Sequence, residues 1–290
     1  MADQAGQADL RREDWERDVK GFALQNYKLL DDLAISKANA WTNSYYEETS
    51  TELSAAGTRN VKGLGRFSEF PTAKVSWTER SSVIEKYGLE DEISWEDAKT
   101  DNVDVIGRTL LRIARGVVKA VEDEAFDIVS ESQSPSNINS VTSTAAWDAE
   151  SGQNPVKDIL EAQRKIAVNN YESIYAGAGF IWLSPKDYES LLVYIYEQGA
   201  QAPKFAEMVL QNGKTIQTFM NLKVRVSNSV VADYAVVGVS NLCATWKELE
   251  PLNVVQEVKA GVKYTIRAFQ YGVTQLINPS AVSLISNTQA

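Results

Sequence analysis

From Val103 to Val129 the apolar residues Val103, Ile106, Leu110, Ile113, Val117 and Val121 advance by threes and fours, which places them on one face of a helix. No other stretch constrains the fold as much. At 1.5 Å per residue this helix runs roughly 40 Å, the width of a small domain, so the rest of the chain has to be laid along it. Arg108, Arg112, Arg115 and Lys119 occupy its other faces. Those cations suit a solvated or intersubunit face better than a track for phosphates. The 290-residue chain carries a formal net charge of -10 and lacks the basic surface that non-specific nucleic-acid binding requires.

Upstream of the helix the charge changes sign abruptly. The stretch "RNVKGLGRFSEFPTAKVSW" sets Arg59, Lys62, Arg66 and Lys74 against the single acid Glu69, while Gly63, Gly65 and Pro71 disfavour a helix. Phe67, Phe70 and Trp77 argue against plain disorder. Burying one such aromatic is worth about 1.5–3 kcal/mol, so an extended loop carrying them is expected to cover another surface, a neighbouring subunit or its own domain. The following "LEDEISWEDAKTDNVD" is acidic, with Glu90, Asp91, Glu92, Glu96, Asp97, Asp101 and Asp104 against Lys99. Asp101 and Asp104 suit the start of the long helix, where its dipole favours carboxylates. The basic loop and the acidic run are complementary, which would give an association of identical chains both sign and register.

The remaining elements indicate an α+β fold. Between Leu10 and Ala40, Trp15, Val19, Phe22, Leu30 and Leu33 predict one or two amphipathic helices, lying either on the chain's own core or on a partner. After the Ser- and Asn-rich stretch "SQSPSNINSVTSTAAWDAESGQNP", Asn154 and Pro155 read as cap and first residue of a second helix. "FIWLSPKDYESLLVYIY" reads as a strand running into a helix that opens on Ser184, Pro185 and Asp187. Asn212-Gly213 predicts a hairpin, and Val262, Tyr264, Ile266 and Ala268 alternate with Lys263, Thr265 and Arg267 as in a half-buried strand.

The absence of histidine excludes Ser-His-Asp and Cys-His chemistry and histidine metal ligation, and the one cysteine, Cys243, sits in an apolar context that suits a buried thiol. The acids match no calcium-binding loop, and no glycine pattern fits a nucleotide site. A carboxylate-dependent soluble enzyme stays open as an alternative, but no cofactor or metal is implied. The polar N-terminus and short apolar runs suggest a protein made in the cytoplasm that does not enter a membrane.

The order of elements, closing on "YTIRAFQYGVTQLINPSAVSLI", resembles the major capsid proteins of tailed bacteriophages and tailed archaeal viruses, the Hong Kong ninety-seven fold that encapsulins share. That resemblance implies a virion shell protein, not an enzyme. It would assemble from many copies into hexamers and pentamers of an icosahedral capsid around double-stranded DNA held without sequence specificity. The domains it implies are an N-terminal arm at 1–45, an extended E-loop at 46–82, a peripheral domain with the spine helix at 83–132, an axial domain at 133–245, and a return to the peripheral domain at 246–290. The implied assembly residues are Arg59, Lys62, Arg66, Phe67, Phe70 and Lys74 of the loop, the acids Glu90, Asp91 and Glu92, and Arg108 and Arg112 of the spine. Portal, scaffold or decoration proteins are further partners it allows. The short segment before the loop implies a separate scaffold or none. An encapsulin-type shell holding a cargo protein is the nearest alternative. A lysine-asparagine crosslink, Lys62 or Lys74 with Asn253 or Asn278, is known in such relatives, although no local pattern marks it here.

Overall fold

The computed structural model describes residues 17–23, 27–49, 66–67, 78–100, 105–199 and 218–290. In chain order its strands are β1 (Ala34–Lys37), β2 (Thr42–Glu47), β3 (Thr78–Val83), β4 (Glu85–Ser94), β5 (Asn139–Thr142), β6 (Gly179–Leu183), β7 (Thr218–Phe219), β8 (Leu222–Val226), β9 (Tyr234–Val239), β10 (Ala244–Lys259), β11 (Lys263–Leu276) and β12 (Val282–Ser286). The helices are α1 (Trp95–Thr100), α2 (Val105–Val129), α3 (Pro155–Val168) and α4 (Pro185–Gly199), preceded by helical residues 17–23.

Helix α2 is the long element that its spacing predicts. Its 25 residues span about 37 Å. Leu110, Ile113, Val117, Val121 and Phe126 are buried on the face that packs against β4 and β11. Those strands belong to a four-stranded sheet ordered β1-β10-β11-β4. β10 and β11 form its long hairpin, closed by a three-residue loop in which Gly261 takes φ +74°. Along β11 the predicted alternation holds at Ile266 and Ala268, fully buried, and at Arg267, exposed, but it fails nearer the turn, where Val262 is exposed and Thr265 buried. From Gly272 to Leu276 every residue is buried, because Ala38 and Ile84 cover Val273 beside the helix-packed part of the strand.

A second sheet is ordered β5-β12-β9-β6-β8-β7. β6 and β9 are apolar almost throughout and nearly wholly buried, as befits central strands covered on both faces. α3 packs on β5, β12 and β9. Both predicted helix starts are present. The Asn154 side chain accepts from the Lys157 N–H at 3.0 Å. Ser184 Oγ accepts from the Asp187 N–H at 3.1 Å and donates to the Asp187 carboxylate at 2.7 Å.

The structure adds to or departs from the sequence expectations in several places. The helix predicted to run toward Ala40 stops well short of it. Leu30–Asp32 forms a 3-10 turn and Ala34–Lys37 pairs parallel with β10, since an open sheet edge offers this short apolar run more than solvent does. Within the arm's described part, Val19, Ala23, Leu29, Leu30 and Leu33 join the chain's own core. The acids 90–92 lie on strand β4, not in a lead-in to the helix. The segment 246–290 does not stay with one sheet: after Leu276 the chain crosses over, and β12 pairs with β5 and β9. Asn212-Gly213 lies outside the described residues. The hairpin seen nearby joins β7 to β8 through Met220 and Asn221, which both have positive φ, 52° and 65°, as a two-residue turn of that twist demands.

Candidate assembly surface

β2 and β3 form a two-stranded ribbon paired from Thr42↔Val83 to Glu47↔Thr78, in neither larger sheet. Most of its side chains are exposed, Tyr46 at 58% and Val83 at 62%. An isolated pair of strands is marginally stable in water, so this ribbon depends on what holds its root and what covers its faces. The root is held firmly. Trp41 packs edge-on against Tyr271, and the Ile84 N–H donates to the Trp41 carbonyl at 2.9 Å. Gln275 Nε2 donates to Ser82 Oγ at 2.6 Å, and at the opposite end, just past Glu47, the Glu48 N–H donates to the Ile277 carbonyl at 2.9 Å. From the second sheet's side, the Tyr171 hydroxyl donates to Glu48 Oε1 at 2.8 Å. Arg80 pairs with the buried Glu47 across the ribbon.

Of the loop residues named from the sequence, Arg66 and Phe67 are described, and both are exposed. Arg59, Lys62, Phe70 and Lys74 lie outside the described residues. The acids on β4 are answered within their own chain: Glu90 pairs with Arg267, Asp91 with Arg112, and Glu92 with Lys263. Two of these pairs follow from register, since Arg267 stands opposite Glu90 on the neighbouring strand and Lys263 is two residues, hence on the same face, from Thr265, the partner of Glu92. The structure therefore engages Arg112 and the three acids internally and leaves Arg108 exposed on the helix.

Sequence reasoning missed the carboxylates that join the two sheets. Glu122, on α2, is 3% exposed. Its Oε1 accepts from the N–H groups of Lys28 and Leu29, the latter at 2.8 Å, and its Oε2 accepts from Ser227 Oγ at 2.8 Å. One side chain thus ties the spine helix to the N-terminal segment and to the end of β8. Asp32 is fully buried and accepts from Trp182 Nε1 at 3.2 Å and Arg225 Nε at 3.3 Å. Burial raises its carboxyl above the ordinary range, against the pull of Arg225. In sequence Glu122 is one of three consecutive acids, and nothing local distinguishes it from Asp123, which pairs with Lys119 on the surface.

None of these groups forms a reaction centre. Burial pushes the Cys243 thiol up to about 12, so it is no thiolate at neutral pH. Among the described residues no cluster of three acid or cysteine side chains is placed to hold a metal ion, and no helix is long and apolar enough to cross a membrane. What the geometry does provide is a two-stranded ribbon with most of its side chains exposed, tied at both ends to the body of the chain.

The sequence matches the family model for phage capsid proteins over residues 78–282, more than two thirds of the chain. No curated protein matches it. Among solved structures, the virus-like particle from Pyrococcus furiosus superposes with a TM-score of 0.63 at 11% identity, covering 95% of this chain and 99% of that one. The capsid of cyanophage P-SCSP1u gives 0.61 at 10% identity, over 90% and 88% of the two chains. A structure from Mycobacterium phage Che8 gives 0.59 at 12% identity, over 90% and 92%. At such identities the likeness is one of fold.

Proposed function

Because the chain belongs to the phage capsid protein family and has a Hong Kong ninety-seven-like fold, we propose that it assembles with copies of itself, as hexamers and pentamers, into an icosahedral shell around double-stranded DNA. The four-stranded sheet with α2 serves as the peripheral domain and the six-stranded sheet as the axial domain, with β12 belonging to the latter. The observation that carries this reading is the ribbon. Most side chains of its two strands, Val83 among them, are exposed, while hydrogen bonds at both ends tie the ribbon to the chain's own body. A neighbouring copy supplies the missing cover, and a modest contact repeated around closed symmetry makes a stable particle. Arg66 and Phe67, with Arg59, Lys62, Phe70 and Lys74, act at the ribbon's far end. The net charge of -10 fits DNA that is enclosed without being gripped by sequence.

Electron microscopy and light scattering of the purified protein test this directly. Closed particles or six-membered rosettes support it, and a compact monomer at every concentration and salt sinks it. Particles that lack nucleic-acid absorbance but carry a second protein would move the reading to a cargo-holding compartment.

A further inference from the structure

Two helix faces of the six-stranded-sheet domain are exposed and unlike in charge. On α3 the outer stripe is Lys157, Leu160 and Arg164, with Val168 one turn beyond; Leu160 is 46% and Val168 71% exposed. On α4 it is Glu189, Val193 and Glu197, with Tyr196 beside them; Val193 is 47% and Tyr196 66% exposed. The inner side of α3 is committed to its own domain: Asp158 accepts from Trp147 Nε1 and Ser143 Oγ, and Gln163 donates to the Met220 carbonyl. The outer charges are barely used. Arg164 reaches Glu161 only at 3.8 Å, and among the described residues Lys157, Glu189 and Glu197 have no ion-pair partner.

The two stripes match in pattern as well as sign. The cations of α3 stand seven residues apart, about 10.5 Å, and the acids of α4 eight residues apart, about 12 Å. Each pair brackets an aliphatic side chain. An open cleft of about 400 Å³ between α4 and the Trp147–Gln153 loop, with Glu150 on its wall and Asp148 paired with Lys186, adds space beside the α4 face. A charged rim around an apolar centre is the make-up of a protein interface.

We propose that the α3 face of one copy docks on the α4 face of a second copy, head to tail. This rests on the assembly reading above and assigns that assembly its ring-forming contact. With the α3 face of each copy on the α4 face of the next, the contact is heterologous, and where its rotation closes it makes a ring. Arg164 and Lys157 meet Glu189 and Glu197, and Leu160 meets Val193 and Tyr196.

The test uses the full chain and reverses charge on one face at a time. K157E/R164E and E189K/E197K each put like charges across the contact, and each should raise the concentration needed for assembly at least about tenfold. The fourfold variant restores complementarity within one chain and should assemble as the parent does. An equimolar mixture of the two double variants should form rings in which they alternate, which only even-numbered rings allow. Circular dichroism checks that each variant is folded. Assembly of both double variants at the parental concentration overturns this contact and leaves the assembly reading standing. Failure of the fourfold variant to recover, when folded, also overturns it. A parent chain that never associates overturns both.

Discussion

Replacing Glu122 by alanine should loosen the joint between the two sheets more than any other single change to a polar side chain. The substitution strands the N–H groups of Lys28 and Leu29 and the hydroxyl of Ser227 in a site where the carboxylate was 3% exposed, too enclosed for water to take over all three bonds. A hydrogen bond to a charged acceptor contributes about 1.5–3 kcal/mol, and the desolvation of the carboxylate itself offsets part of the total, so a net loss of roughly 3–5 kcal/mol is expected. Glu122→Gln keeps an acceptor toward both backbone donors, and Ser227 can turn to accept from the new amide, so its cost should stay near 1 kcal/mol. Urea unfolding gives the two stabilities, and amide hydrogen exchange locates the effect: protection should fall at Lys28 and Leu29 in the alanine variant and persist in the glutamine one. If Glu122→Ala unfolds within about 1 kcal/mol of the parent with those amides still protected, the joint is held by apolar packing and the argument fails.

Glu124, one residue on, has its carboxyl pushed up to about 7, by burial first, with Glu85 and Asp127 adding and the Thr274 N–H opposing. The folded chain therefore holds this proton between the ordinary value of 4.5 and about 7 while the unfolded chain releases it, so stability falls as pH rises across that window. Melting temperatures at pH 5 and pH 8 should show the decline, and Glu124→Gln should flatten it; an unchanged slope in the variant refutes the assignment. A methyl at Gly272 would lie 2.2 Å from Cζ2 of the buried Trp246 ring, so Gly272→Ala should cost about 1–3 kcal/mol by denaturant titration. Val83→Ser should leave the monomer's melting nearly unchanged and cut particle yield, whereas normal yield would mean this outer side chain of the ribbon covers nothing. Asp91→Asn should cost under about 1 kcal/mol and leave assembly intact, because its charge is spent on Arg112 of the same chain.

Local patterns carry part of the fold. The spacing of Leu110, Ile113, Val117 and Val121 gives away α2, because a helix's period depends only on residues three and four apart. The starts at Asn154 and Ser184 were equally legible, since each cap is made within four residues of itself. The turn at Met220-Asn221 was passed over because it lacks the glycine that usually supplies positive φ.

The acids on β4 show why the site was harder. Charge complementarity was visible, but which cations would answer Glu90, Asp91 and Glu92 depended on β4 lying beside β11 and on α2 crossing over it, a pairing that spans more than 170 residues. Register decided in favour of Arg267, Lys263 and Arg112. The same holds for Glu122 and Asp32, whose roles exist only where three distant segments meet. By itself, then, the order of residues determined the long helix α2, the starts of α3 and α4, the α+β character and the absence of histidine chemistry, all of which depend on composition or on neighbours in the chain. Only the folded arrangement decided which charges stay inside the subunit, which sheet receives β12, and which surfaces are left for another copy, because those outcomes depend on long-range contacts that local periodicity does not encode.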